Sequence, residues 1–454
     1  MPSNAVAASN SLQAYIEHVN PQWVRLLNLL QMQTEYCQCL GAELTTTEGD
    51  VILDFLSGYC VHKVGHNHPA VVQALHDELD RRGPAMLQSH VPALAGELAG
   101  RLCRLAGGDL EKAFFASSGS EGVEAAIKFS RVATGRKDLL YASKAFHGLT
   151  CGALSLMDDP FWRGKFGPML AGTAAVPFGH IQALEAQLQT RNYAAFIVEP
   201  LQAEGGIVLP PPDYLGQAKE LCARYGTLLV LDEVQTGMFR TGEFLASHHF
   251  GVKPDMVVLA KALSGGLVPI SAVLMTDRIY NSVFDSLKRA IVHTSTFGEN
   301  GLAMRAGLAT LDVLVRENLG QRATVLGDLL RQRLREELAD YEMVQEVRGL
   351  GMLSGIRFAP PNSLRLRLAF ESFRAIHPAL FGQVMVMRMF RDQKILTQMC
   401  GNNFMVLKVA PPLIVTPEQI EQFVRSIRDV IHPAHHSADF WTEAIGLARR
   451  VINM

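Results

Sequence analysis

The chain has 454 residues, enough for two or three domains, and with 48% hydrophobic and 19% charged residues it has the make-up of a folded globular protein. A net charge of −2, with both signs mixed along the length, gives no long-range attraction to nucleic acid or to an anionic membrane. Seven cysteines without a CxxC spacing suit a reducing compartment better than a disulfide framework or a zinc site. The opening MPSNAVAASN has no basic region leading into an apolar run, and no apolar stretch approaches the ~18 residues that span a bilayer. The expectation is a soluble, cytoplasmic protein.

Residues 12–30 read as one amphipathic helix, followed by short strands around Ala42–Leu44 and Val51–Phe55. From about Gly83 to Glu317 helical stretches alternate with apolar strands at Ala113–Ala116, Leu139–Ala142, Ala195–Glu199, Thr227–Asp232, Met256–Ala260 and Ser271–Met275. That alternation predicts an α/β fold built on a mainly parallel, doubly wound sheet. Beyond Asn318 the pattern changes to a smaller α+β unit. A long charged helix runs to about Asp340, strands follow near Val344–Val347 and Met352–Phe358, then two helices and a last one over Pro417–Val430.

The strongest local signal is LLVLDEVQTG followed by PDMVVLAKALSGG. Asp232 and Lys261 each stand at the carboxyl end of a buried strand, where open α/β sheets bind ligands. Alone, each has an ordinary reading, as a loop-starting carboxylate and a solvated strand end. Together they match one chemistry: a lysine amine condenses with an aldehyde cofactor, while a carboxylate keeps a pyridine nitrogen protonated. In FFASSGSEGVEAAIKFSR, Ser118-Gly119-Ser120 opens a helix. Its free N–H groups and two hydroxyls would cradle a phosphate, and Ser118 with Glu121 also has the spacing of a capping box. Phe146, in AFHGLT, is placed either to lie over a flat cofactor or to fill core. A nicotinamide site is disfavoured, because Gly349-Leu350-Gly351 lies in the C-terminal unit and no GxGxxG opens an early βαβ unit. His432, His435 and His436 have no acidic or cysteine partner in sequence, so no metal site is expected there.

On these residues the sequence resembles the class III aminotransferases of fold type I, the group that includes ornithine, acetylornithine and 4-aminobutyrate aminotransferases. The resemblance extends over nearly the whole chain, through GHNHP (65–69), SSGSEGVEAAIK (117–128), FHG (146–148), VEPLQAEGG (198–206), LDEVQTGMFRTG (231–242), KPD (253–255), AKALSGG (260–266) and HTSTFGEN (293–300). It implies a pyridoxal 5'-phosphate enzyme with a large cofactor-binding domain over 83–317 and a small domain over 318–454. Residues 1–82 would contribute to the small domain and to contacts in a homodimer. It further implies that Lys261 carries the cofactor and moves a substrate proton, and that Asp232 pairs with the pyridinium nitrogen. Ser118, Gly119 and Ser120 would hold the phosphate, helped by Thr296 of a neighbouring subunit. Phe146 would stack on one face of the ring, Val234 and Gln235 would meet the other face and the ring oxygen, and His147 and Glu199 would support them. Tyr59 would face the substrate. The same fold and lysine also serve aminomutases and racemases, which need no second substrate.

Three stretches depart from the family pattern. Where relatives acting on α-amino acids have an arginine before the APP turn, VLKVAPPL has Lys408. Lysine lacks the two-pronged grip of arginine on a carboxylate, a loss of roughly 1–3 kcal/mol if the group meets substrate. Glu204 resembles the glutamate that masks that arginine, so Glu204 and Lys408 would form an analogous pair. GENG (298–301) places Glu299 where relatives have a neutral residue. The methionines of VMVMRMF (384–390) would line a pocket for a long apolar substrate or fill the small-domain core. LSGYCV, HTSTFGEN and Lys408 together resemble a subgroup acting on terminal amines and aldehydes. The expected reaction takes nitrogen from a terminal amine (a diamine, ω-amino acid or alkyl amine) and gives it to a 2-oxo acid or aldehyde in a ping-pong cycle. The alternative is an ornithine- or acetylornithine-type enzyme with Lys408 in place of the arginine.

Overall fold

The computed structural model describes residues 12–437 apart from 88, together with 440–443 and 445–446. The N-terminal segment is not one helix. It is helical from 12 to 18 and again over Pro21–Leu29, because Pro21 cannot continue the first helix and Asn20, extended at φ −152°, caps the second by accepting from the N–H groups of Gln22 and Trp23. The strands β1 (Tyr36–Leu40), β2 (Glu43–Thr46) and β3 (Val51–Asp54) follow as an antiparallel meander.

The large sheet contains β4 (Lys112–Ala116), β5 (Asp138–Ala142), β6 (Thr173–Val176), β7 (Tyr193–Val198), β8 (Leu228–Asp232), β9 (Met256–Leu259) and β10 (Ser271–Met275), in the order β4-β10-β9-β8-β7-β5-β6. The strands from β9 to β6 are parallel, whereas β10 runs antiparallel to both neighbours. Every residue of β7, β8, β9 and β10 is buried. This explains why these segments read as continuous apolar runs rather than alternating ones: helices cover both faces. The helix Gly119–Thr134 packs across β7 to β10 on one face, and Tyr214–Tyr225 lies against β8.

The strands β11 (Val344–Leu350), β12 (Leu353–Phe358), β14 (Gln398–Cys400) and β15 (Asn403–Val409) form a third, antiparallel sheet in the order β11-β12-β15-β14. The short β13 (Ile395–Leu396) instead pairs in parallel with β3, so the N-terminal meander is completed from the far end of the chain. The helix Leu380–Arg391 buries Met385, Met387 and Met389 completely, and these methionines are core rather than pocket lining. The helix Pro417–His436 begins with a Thr416–Gln419 capping box and outlasts its expected end at Val430, because Ile431 and Ala434 continue its buried face. In that helix His432 Nδ1 lies 3.2 Å from the Tyr341 hydroxyl, and His435 Nε2 accepts the Met343 N–H. Among the described residues no helix is long and apolar enough to cross a membrane.

Candidate active site

Asp232 is the last residue of β8, and Lys261 follows β9 after one intervening residue. Parallel pairing of β8 with β9 brings their carboxyl ends together. Lys261 has φ +50°, an uncommon conformation for a residue with a side chain, and Gly265 and Gly266 (φ +65° and +86°) turn the chain back. Above these strand ends lies a cleft of about 440 Å³. Ser118, Gly119, Ser120, Phe146, His147, Glu199, Asp232, Val234, Gln235 and Lys261, ten residues from five blocks of sequence, all line it.

The charges in the cleft depend on one another. Asp232 Oδ2 lies 2.8 Å from His147 Nδ1, and its Oδ1 accepts the Val234 N–H at 3.1 Å. Burial alone would lower the pKa of His147, but the Asp232 hydrogen bond and charge, with Glu199 behind them, raise it. Glu199 accepts the N–H groups of Phe146 (2.9 Å) and Ala203 (3.1 Å). Burial still pushes its carboxyl up to about 7, His147 opposing the shift and Asp232 adding to it. Burial also holds the Lys261 amine below the ordinary lysine range, against the pull of Asp232, Cys60 and Glu204. Such an amine spends more of its time neutral and nucleophilic.

The helix Gly119–Thr134 starts with an N-cap but not the full capping box, because the Glu121 side chain reaches the N–H one residue before the cap. Ser118 caps the helix by accepting the Glu121 N–H at 3.2 Å, and Glu121 Oε2 accepts the Ser117 N–H at 2.7 Å, while Ser118, Gly119 and Ser120 also face the cleft. A Cβ on Gly119 would stand 3.1 Å from both methyls of Val234, so a larger residue here would have to push the Val234 side chain aside. Phe146 is half-buried at the cleft wall, with the ring of Trp162 edge-on to it at 5.2 Å. Trp162 was not foreseen. Its indole donates to Asn402 Oδ1 at 2.7 Å, a contact across 240 positions that no local pattern announces.

Lys408 lies in β15 and is fully buried, with its Nζ hydrogen-bonded to Glu204 Oε1. Gln235 Nε2 donates to the same carboxylate oxygen at 3.1 Å, and the Tyr59 ring lies 5.1 Å from Lys408 Nζ. Burial would lower the pKa of Lys408 and raise that of Glu204, but their mutual attraction outweighs it in both, so the pair is charged. Tyr59 belongs to a run, Ser57 to Cys60, with four successive positive φ values. Lys63, three residues on, is buried against Gly237 O, a second feature not foreseen.

The sequence profile of the class-III aminotransferases matches residues 29–431. The chain is a class-III aminotransferase. It is 33% identical to the Aminotransferase PigE of Serratia sp. (strain ATCC 39006) over 93% of this chain, and it spans 53% of that protein's length, about half. Among solved structures it superposes on an ornithine aminotransferase from Toxoplasma gondii with a TM-score of 0.80 at 28% identity, covering 95% of this chain and 98% of the other. That structure shows partial occupancy of pyridoxal phosphate at its active site. An acetylornithine aminotransferase from Elizabethkingia anophelis superposes with a TM-score of 0.70 at 31% identity, covering 88% and 94%.

Class-III aminotransferases depend on pyridoxal phosphate, and the cleft of this aminotransferase fits that group. Gly119 leaves open the approach to a helix start, His147 Nε2 is buried without a hydrogen-bond partner, and the Lys261 amine and Asp232 carboxylate come from adjacent strand ends. Thr296 does not line the cleft of its own chain; it is exposed in the segment before the helix Gly301–Arg316. Glu299 is exposed in the same segment and also lies outside the cleft, so it does not crowd a phosphate bound there by the same chain.

Proposed function

We propose that this aminotransferase takes nitrogen from a terminal primary amine and passes it to a 2-oxo acid or an aldehyde in a ping-pong cycle. Pyridoxal phosphate supplies the electron sink that makes a substrate C–H bond acidic. Lys261 holds the cofactor and, when its amine is free, carries the proton at the reacting carbon, a role suited to an amine held below the ordinary lysine pKa. Asp232, oriented by His147, presents a carboxylate to the pyridine nitrogen, and Glu199 fixes the Phe146 backbone beside it. Ser118, Gly119 and Ser120 receive the phosphate at the helix start. Phe146 and Val234, which line the cleft, would enclose the ring, and Gln235 would reach its oxygen. Thr296 acts from a second copy of the chain, so the working unit is a homodimer.

The observation that carries the substrate reading is the buried Glu204–Lys408 pair, which lies behind the cleft-lining Gln235 with the Tyr59 ring beside it; Tyr59 would face the substrate there. The cation that would grip an α-carboxylate is already occupied by a carboxylate of the protein. The test is a panel of diamines, ω-amino acids, monoamines and α-amino acids against pyruvate, 2-oxoglutarate and hexanal, with Lys408→Arg beside wild type. Turnover of diamines and alkyl amines above α-amino acids is expected. Turnover of α-amino acids alone, with the same profile in Lys408→Arg, would end the terminal-amine reading. The ornithine aminotransferase structures that superpose on this chain support the second reading, an ornithine-type enzyme, which the same panel separates by its response to ornithine.

A further inference from the structure

Glu204 is held by much more than Lys408. Its Oε2 accepts the Gly401 N–H at 2.8 Å, and its main-chain carbonyl accepts the Asn402 N–H at 3.0 Å. The two glycines after it are fastened as well. Gly206 O takes two N–H groups of Arg348, at 2.7 and 3.2 Å, and Gly205 O takes Asn403 Nδ2 at 3.4 Å. All these donors belong to the antiparallel sheet that carries Lys408: Arg348 lies in β11, and residues 401 to 403 form and follow the β14–β15 turn. The turn is itself anchored to the cleft wall. Asn402 Nδ2 donates to the carbonyls of Lys144 and Ala145, each at 3.0 Å, and its Oδ1 accepts from Trp162. Gly401 sits so close that a Cβ there would be 3.1 Å from Glu204 Oε2 and 3.4 Å from the Trp162 ring.

If Glu204 swung away, Lys408 would keep only Gln235 Oε1, at 3.5 Å, and the Tyr59 ring, with its charge still buried. A buried ammonium without its carboxylate is strongly unfavourable. We propose that Glu204 and Lys408, behind the cleft-lining Gln235, form a permanently closed pair clasped by the Gly401–Asn402 turn and Arg348, so that substrate meets no free ammonium there in either half of the cycle. The inference rests on the terminal-amine reading and decides between its two acceptors. The acceptor is an aldehyde with an uncharged chain, not an oxo acid whose carboxylate must find Lys408. Asn402 and Arg348 are then positioning residues for specificity.

The experiment uses the cofactor-loaded enzyme and follows each half of the cycle by cofactor absorbance: cadaverine against L-alanine as donors, then hexanal against pyruvate as acceptors. Propionate binding is measured beside it by calorimetry. Wild type is expected to favour cadaverine and hexanal and to bind propionate poorly. Glu204→Gln leaves the Lys408 charge unpaired, and should bind propionate and raise the pyruvate-to-hexanal rate ratio by roughly tenfold or more. Asn402→Ala should move the same ratio in the same direction by a smaller factor, and it carries the test if Glu204→Gln does not fold. A wild-type preference for L-alanine over cadaverine refutes the terminal-amine reading and this inference with it. A cadaverine preference combined with ready use of pyruvate, or with a ratio unmoved in the variants that fold, refutes the closed pair alone.

Discussion

Lys63 is almost completely buried, and its ammonium donates to Gly237 O at the end of the loop that leads from Asp232 through Val234 and Gln235. Burial and the adjacent Arg240 push its pKa down to about 7, while Cys60 and Glu233 resist. In the unfolded chain the same amine titrates at its ordinary value of 10.5. The folded-state value is thus the lower one. Between about pH 7 and the unfolded value, the unfolded chain binds a proton that the folded protein does not, and stability rises with pH across that window. Below about pH 7 both states hold the proton and the fold bears the full cost of the buried ammonium, on the order of 5 kcal/mol. From about pH 7 to about pH 9 the linkage amounts to roughly 2 kcal/mol. Lys63→Met keeps the apolar stem and removes the charge. The variant should be no less stable than wild type near neutrality, because relief of desolvation offsets the lost hydrogen bond of about 1 kcal/mol. Its pH dependence should be flatter by that same ~2 kcal/mol. Urea unfolding of both holoenzymes at the two pH values checks this, since groups common to both proteins cancel in the difference. Parallel pH dependence in the two proteins would show that Lys63 is charged and tolerated in the fold, and the reasoning would fail.

Gly119→Ala should press a methyl against both Val234 methyls, costing roughly 1–3 kcal/mol of overpacking at the place where a phosphate approaches. The dissociation constant for pyridoxal phosphate should rise about tenfold or more, and an unchanged value by fluorescence titration would speak against the cradle. Asp232→Asn keeps the volume but removes the charge that raises the pKa of His147. The rate constant kcat should fall by roughly a hundredfold or more while absorbance still shows cofactor on Lys261; wild-type kcat would exclude Asp232 from the chemistry. Lys261→Ala should abolish the absorbance band of covalently attached cofactor, and retention of that band would place the attachment elsewhere.

What the sequence made legible follows from how local each feature is. Asp232, Lys261 and Gly119 sit where an apolar strand ends or a helix begins, so a single block of text carries both the residue and its place. The direction of β10 was not legible, since Ser271–Met275 is the same apolar run whether it pairs parallel or antiparallel. The break at Asn20–Pro21 was present as a helix-start signal, but the continuing apolar spacing of residues 12–30 overrode it. The clasp on Glu204 had no signal at all. Gly401 lies 197 positions from Glu204, and Trp162 lies 240 from Asn402, so these contacts exist only once two sheets are docked. Lys63 was hidden for another reason: nothing in VHKVG distinguishes an amine aimed at Gly237 O from one in solvent.

The two ends of the site therefore stand on different foundations. Lys261, Asp232 and the Gly119 helix start belong to the large sheet and its covering helix, whereas Lys408, Gly401 and Arg348 belong to the smaller antiparallel sheet. On the proposed reading, substitutions in the smaller sheet would change the charge behind Gln235 without moving the strand ends that would hold the cofactor. Gln235 bridges the two, lining the cleft while donating to Glu204. Its removal should disturb both at once: without that donor the Glu204 carboxylate keeps Lys408 and Gly401, but the wall shared by cofactor and substrate loses the side chain that spans them.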